Sequence, residues 1–312
     1  MSNAEPTQSR GRALGSVATA ITECERCPRL RSWCRLVAEQ RKREFRDWTY
    51  WGRPVPGFGD PEGRLLVVGL APAAHGGNRT GRVFTGDSSG DWLYEALHRF
   101  GFANQARSVS RDDGLELRDC YVTAAARCAP PDNRPTREEL ARCRDWLAQE
   151  LSLLQRVQVV IALGRIAREA WLRAAGWWDR LPARERPGFG HGSIATLPDG
   201  TVFIASYHPS RQNTNTGRLT RKMWYGPFRE ARRRLTWGFS PTHPPAPVYQ
   251  GCALGPHARR GIGTRYSRPA SVPGPVASTE SPSAGVWPSV RRPSQQLYSR
   301  VSEPSAVGLR PE

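Results

Sequence analysis

Lysine is almost missing from this sequence. Lys42 and Lys222 are its only two among 312 residues, and arginine makes up the rest of a basic complement of 46, set against 28 acidic residues. Long apolar runs are missing too. The longest, over residues 65–74, is far short of the ~20 residues a membrane helix needs, which excludes such a helix. The opening stretch MSNAEPTQSRGR has no apolar segment of the kind a secretory signal requires. A cytoplasmic protein is therefore expected, with no membrane partner. In that setting the seven cysteines read as metal ligands or buried thiols before disulfides. What is abundant is positive charge. A net +18 favours polyanionic partners through counterion release, and guanidinium groups fork onto phosphates and base edges.

The chain changes character near residue 238. From there Pro, Gly, Ser and Arg dominate, and no period of 2 or 3.6 persists. Such a segment cannot bury enough surface to offset chain entropy, so 238–312 is expected to be disordered. Residues 1–15 also read as unstructured, which leaves 16–237 as one folded domain. The tail carries eight Arg and three Glu, so most of the excess charge belongs to the domain. Within it, LLVVGL (65–70), CYVTAA (120–125), VQVVIAL (157–163) and VFIAS (202–206) are near-continuous apolar runs that suit strands buried on both faces. Helical patterns lie between them. Asp87 is placed to cap one helix, Thr136 and Glu139 form a capping box for a second, and Gly164 leads into a third. A last basic helix is expected over 217–235, with Pro227 inside it. Strands alternating with helices give a three-layer α/β/α sandwich with a mainly parallel sheet. Ligands of such sheets sit at the carboxyl ends of the strands.

Three stretches that follow strands are unusually polar. The first, GLAPAAHGGNRTGRVFTGDSSG (69–90), is rich in glycine but is neither a dinucleotide fingerprint nor a Walker loop. It reads equally as a ligand-binding loop or as a turn-rich linker in which Asp87 is only a helix cap. The second, SYHPSRQNTNTGRLT (206–220), places His208 just past a strand, followed by Arg211, Gln212, Asn213 and Arg218, all suited to phosphates and base edges. In the third, AARCAPPDNRPTREELARC (125–143), Asn133 offers a donor and an acceptor that match a pyrimidine edge, or else it is a turn residue. Two cysteine pairs, Cys24 with Cys27 and Cys128 with Cys143, are able to hold zinc or a [4Fe–4S] cluster; a buried free thiol is the alternative for Cys143.

Taken together these stretches resemble the family-5 (type B) uracil-DNA glycosylases, an iron–sulfur branch of the uracil-DNA glycosylase superfamily. The resemblance rests on CERCPRL (24–30), YWGRPVPGFGDP (50–61), the 69–90 loop, RCAPPDNRPT (127–136), ALGRIA (162–167) and the 206–220 loop. It spans nearly all of 20–235 in order and does not reach the tail. It implies a central four-stranded parallel sheet and excision of uracil, and of other deaminated bases such as hypoxanthine, from double-stranded DNA and from single strands. It implies a nucleoid-associated monomer. Cys24, Cys27, Cys128 and Cys143 would ligate a [4Fe–4S] cluster. Other branches carry a polar catalytic side chain after the first strand, whereas here Gly69-Leu70-Ala71-Pro72-Ala73 has none, as is typical of family 5.

The catalytic burden then moves to Asp87, His208 and Asn133. His208 would donate to uracil O2 as the base leaves. Asp87 would orient water or stabilise the cationic sugar. Asn133 would read the flipped base while Phe84 stacks on it, with Gly69, Ala71 and Asn213 also lining the substrate. Arg79, Arg211, Gln212 and Arg218 would meet DNA, Gln212 and its neighbours filling the gap left in the duplex. No lysine lies in any motif, so a monofunctional glycosylase without lyase activity is expected. The main rival is a non-catalytic, metal-stapled DNA-binding protein. A nucleoside hydrolase and a family-4-like enzyme fit less of the sequence.

Overall fold

The computed structural model describes residues 4–236. The expectation of disorder over 238–312 falls outside them. Helices α1 (Ala4–Thr22) and α2 (Pro28–Gln40) precede a sheet built from β1 (Phe58–Gly59), β2 (Leu65–Gly69), β3 (Cys120–Ala124), β4 (Val159–Leu163), β5 (Ile194–Thr196) and β6 (Val202–Ser206). Between the strands lie α3 (Gly77–Thr80), α4 (Ser88–Arg99), α5 (Arg137–Leu153), α6 (Arg165–Ala174) and α7 (Trp177–Arg180). Helices α8 (Arg211–Asn215) and α9 (Arg221–Thr236) follow β6. The sheet order is β1-β3-β2-β4-β6-β5. Its four central strands are mutually parallel, as the apolar runs predict. Two short antiparallel edge strands extend the expected four to six: Phe58 pairs with Val122, and Ile194 with Ile204. Neither edge strand has an apolar run to announce it. β5 is half exposed, as edges commonly are.

The central strands are buried on both faces, with side chains alternating between them. Leu65 and Val67 join Leu93, Leu97, Trp224 and Phe228 beneath α4 and α9. Leu66 and Val68 join Leu147, Trp171 and Leu172 beneath α5 and α6. The Thr136 capping box closes as expected: Thr136 Oγ1 accepts from Glu139 N–H, and Glu139 Oε2 accepts from Thr136 N–H. α9 begins at Arg221, four residues later than expected, and runs through Pro227.

The N-terminus requires a correction. Residues 1–15 were expected to be unstructured, yet α1 runs from Ala4. Leu14, Val17 and Ile21 form one stripe at helical spacing. Leu14 joins the core of the α5 and α6 face, and Ile21 packs with Cys143 and Trp146. Arg10 forks onto Glu62 at 2.8 and 2.7 Å. The stripe is sparse, and its partners lie more than a hundred residues away.

Chain connections leave β2 towards β3 and β4 towards β6, on opposite sides. The crevice between the carboxyl ends of β2 and β4 is thus the switch point at which such sheets bind ligands.

Candidate active site

The loop after β2 folds back over the crevice. Phe84 adopts a left-handed backbone (φ 52°), an uncommon state for a bulky residue and a form of strain that clusters at functional sites. Its ring lies on Gly69 at the end of β2. A Cβ at Gly69 would sit 2.5 Å from the ring, so only glycine lets this aromatic floor form. Three residues on, Asp87 caps α4: its Oδ1 accepts from the N–H groups of Ser89 (2.9 Å) and Gly90 (3.0 Å). Oδ2 makes no hydrogen bond among the described residues. It presses on Gly76, where an added Cβ would lie 2.0 Å away. The two readings of Asp87 are therefore compatible, because the cap uses one oxygen and leaves the other without a hydrogen bond among the described residues. Burial raises the carboxyl pKa, and the two capping N–H groups partly offset that rise.

The loop after β6 brings the second group. His208 follows the strand by two residues, its ring centroid 6.0 Å from that of Phe84 and its Cβ beside Gly164 at the end of β4. Ser89 Oγ donates to the Pro209 carbonyl (3.1 Å), and Arg211 Nε reaches Ser88 Oγ (3.4 Å), so the start of α4 and the His208 loop are tied together. Asp87 and His208 are each only partly exposed. Burial lowers the His208 pKa to about 4, so the imidazole is neutral across the physiological range. A test follows. The His208 ring resonances should stay flat as pH falls from about 8 to 5, whereas an ordinary histidine titrates near 6.5. The sign for stability is fixed as well. Only the unfolded chain takes up this proton between about 6.5 and 4, so this contribution to stability declines as pH falls through that window. A midpoint near 6.5 in the folded protein would remove the neutral donor.

Several expected ligands have other work. Asn213 Nδ2 donates to the His208 carbonyl (2.9 Å), so Asn213 holds the loop. Arg79, expected on DNA, is only 3% exposed. Its Nε and Nη2 donate to the His75 and Gly86 carbonyls, both at 2.8 Å, and its guanidinium lies between the rings of Phe45 and Trp48. It staples the glycine loop shut beneath Asp87, because the loop's carbonyls have no strand to pair with. Arg82, in the same polar loop, does the same farther along. It donates to Thr85 and Ser108, and both oxygens of Asp113 accept from it at 2.7 and 2.8 Å. No local pattern connects residues thirty positions apart. Arg211, Gln212 and Arg218 are exposed on the rim, Arg218 with its guanidinium over Tyr207. Ala71 packs toward Cys143 and Trp146. Asn133 is exposed on the turn after β3, where both it and Asp132 have left-handed backbones, and the described contacts join it to neither Asp87 nor His208.

The four cysteines come from three segments: Cys24 and Cys27 before α2, Cys128 after β3, and Cys143 on α5. All are free thiols. Cys27, Cys128 and Cys143 are buried, and burial pushes the Cys143 thiol up to about 11. Donors surround them. Trp146 Nε1 donates to Cys24 Sγ (3.3 Å), the Arg142 side chain to Cys27, and the Arg127 backbone N–H to Cys143. A further thiol, Cys34, packs in the same cluster as Cys27 and Cys128 and donates to the Ala129 carbonyl (3.5 Å). Among the described residues no three His, Cys, Asp or Glu side chains are arranged to hold a single metal ion. A cubane asks for something else, since each of its four irons takes one cysteine and the sulfurs surround a volume. Four free thiols drawn from three segments, three of them buried and Cys24, Cys27 and Cys143 each with an N–H donor, fit that requirement.

An aromatic ring, a carboxyl group and a neutral imidazole at the switch point of a parallel sheet mark an α/β protein of the class that binds ligands at the carboxyl ends of its strands. Residues 56–232 match the family model described as the uracil DNA glycosylase superfamily. The chain belongs to that superfamily, on its type-5 branch. It is 54% identical over 213 residues to a type-5 uracil-DNA glycosylase of Thermus thermophilus, covering 68% of this chain and 94% of that one. A type-5 uracil-DNA glycosylase of Pyrobaculum aerophilum is 50% identical over 200 residues, covering 64% of this chain and 84% of the relative. A type-4 uracil-DNA glycosylase of the same organism is 34% identical over 191 residues, covering 61% and 79%. That contrast within one organism separates the branches.

Proposed function

We propose that this protein is a monofunctional DNA glycosylase that hydrolyses the N-glycosidic bond of uracil in DNA and leaves an abasic site for base excision repair. The observation that carries this is the convergence of Phe84, Asp87 and His208 from two loops onto one crevice. The flipped base stacks on Phe84. As the glycosidic bond lengthens, the sugar gains positive and the base negative charge. The neutral His208 N–H donates to the developing anion on uracil O2, an interaction strongest in the transition state. Asp87 Oδ2 faces the cationic sugar and orients the attacking water. Asn133, on the strained turn after β3, is the base-reading residue in this scheme, and Arg211, Gln212 and Arg218 form the DNA-facing rim. Hypoxanthine and other deaminated bases are further substrates, single strands are accepted as well as duplex, and the protein acts as a monomer on the nucleoid.

Cys24, Cys27, Cys128 and Cys143 would hold a [4Fe–4S] cluster, whose contribution is structural. These residues tie the N-terminal segment to the turn carrying Asn133 and to α5. Changing Cys128 to Ser is expected to abolish the brown chromophore and most of the bound iron. Iron analysis and absorbance near about 400 nm check this, and a colourless, iron-free, stable wild type would overturn the cluster.

The function is tested with end-labelled duplex carrying one G:U pair, treated with alkali after incubation. Hypoxanthine and plain G:C duplexes run in parallel. Strand cleavage only after alkali, at uracil and hypoxanthine, is the expected result. Binding without cleavage from a folded, iron-loaded sample would favour the non-catalytic DNA-binding reading.

A further inference from the structure

His191 lies in the loop before β5, outside every motif considered above. Its two ring nitrogens have opposite duties. Nδ1 lies 3.2 Å from the backbone N–H of Tyr207, and an N–H only donates, so Nδ1 accepts. Nε2 lies 3.0 Å from the Met223 carbonyl, which only accepts, so Nε2 carries the proton. The partners thus impose one neutral tautomer. Ser206 supports the same corner, donating from Oγ to the Tyr207 carbonyl (3.0 Å). The His191 ring packs beside the Tyr207 ring, with centroids 5.2 Å apart. Tyr207 is the residue between the end of β6 and His208. Its backbone N–H is the first beyond the strand, at the point where the chain turns into the crevice. Met223 lies in the first turn of α9, which packs against β4 and β6.

We propose that His191 is a positioning residue for His208: it grips the Tyr207 N–H, anchors that grip on α9, and so sets the direction in which the chain carries His208 over Phe84. This rests on the catalytic role given to His208 above. Misplacing a catalytic group by a fraction of an ångström is costly without any loss of binding.

Two near-isosteric variants separate the halves of the clamp. In His191→Asn the amide oxygen stands where Nδ1 stood and accepts from Tyr207. In His191→Gln the amide reaches the Nε2 position and donates to Met223 but offers nothing to Tyr207. Single-turnover excision of uracil is expected to fall about tenfold or more in the Gln variant at unchanged DNA affinity, and to recover in the Asn variant. The second readout needs no activity. The His208 ring cross-peak in a ¹H–¹³C spectrum is expected to shift in the Gln variant and return in the Asn variant. A merely structural residue would lower thermal stability in both without this asymmetry. Equal rates and equal His208 spectra in the two variants would overturn the proposal. So would a wild-type ¹⁵N spectrum showing His191 protonated at Nδ1, a measurement that holds even if a variant fails to fold. A wild type that leaves uracil in place while the His208 spectra behave as expected would instead overturn the function proposed above.

Discussion

Excision of uracil by a His208→Ala variant is expected to fall by about 10²–10³-fold, the range for removing one donor aimed at a developing anion. The geometry argues for a loss in rate and not in affinity. The ring is one polar group in the crevice, while the rim residues Arg211, Gln212 and Arg218 are untouched by the change. The loop should also survive. The His208 carbonyl remains held by Asn213 Nδ2, and the Pro209 carbonyl by Ser89 Oγ, and neither bond uses the imidazole. Because the ring is already neutral at pH 7, its removal takes away a hydrogen-bond donor and not a charge. Single-turnover kinetics should therefore show the drop while fluorescence anisotropy with the same duplex stays nearly constant. Wild-type turnover in the variant would remove His208 from the mechanism.

Glu150→Gln is expected to cost about 3–5 kcal/mol of stability, the range for breaking a buried ion pair from one side. Arg127 and Glu150 are each 1% exposed. Glu150 accepts at both ends: Oε2 from Arg127 Nη2 (2.7 Å) and the Thr123 hydroxyl (2.6 Å), Oε1 from the Gly57 N–H (3.0 Å) and, at 3.4 Å, the Tyr121 hydroxyl. A glutamine must turn its NH₂ toward one of these donor pairs, whichever way it flips. The Arg127 charge would also lose its counter-ion. One side chain thus joins the segment before β1, strand β3 and helix α5 beneath the turn that carries Cys128 and Asn133. Denaturant titration should show the midpoint falling, with a drop in Tm of roughly 10 °C. The double variant Arg127→Met/Glu150→Leu should recover much of it, since apolar replacement of a buried pair is often neutral. The main-chain groups of Arg127 that bond Val55 and Cys143 remain in place. A Gln variant as stable as wild type would mean that the pair is dispensable.

The strands were legible because each central strand is buried on both faces and so must be apolar at nearly every position. The caps at Asp87 and Thr136 were legible because they satisfy backbone N–H groups within three residues of themselves. His208 was legible because a polar side chain just past a buried strand has few places to point other than the crevice. Arg79 and Asn213 have residue types that suit phosphates and bases. The same donors serve equally well to satisfy loop carbonyls, and only the path of the backbone decides between the two uses.

The parallel core and the branch of the superfamily are legible in the chain alone, because those depend on local burial and on motifs contiguous in the chain. The tertiary structure alone decided that α1 is a helix docked on α5, that Arg79 and Arg82 are internal staples, that Arg127 pairs with Glu150, and that His191 grips the residue before His208. Each of these is a pairing across many residues, and its stabilisation comes from burial and hydrogen bonds that exist only once the sheet has brought the partners together.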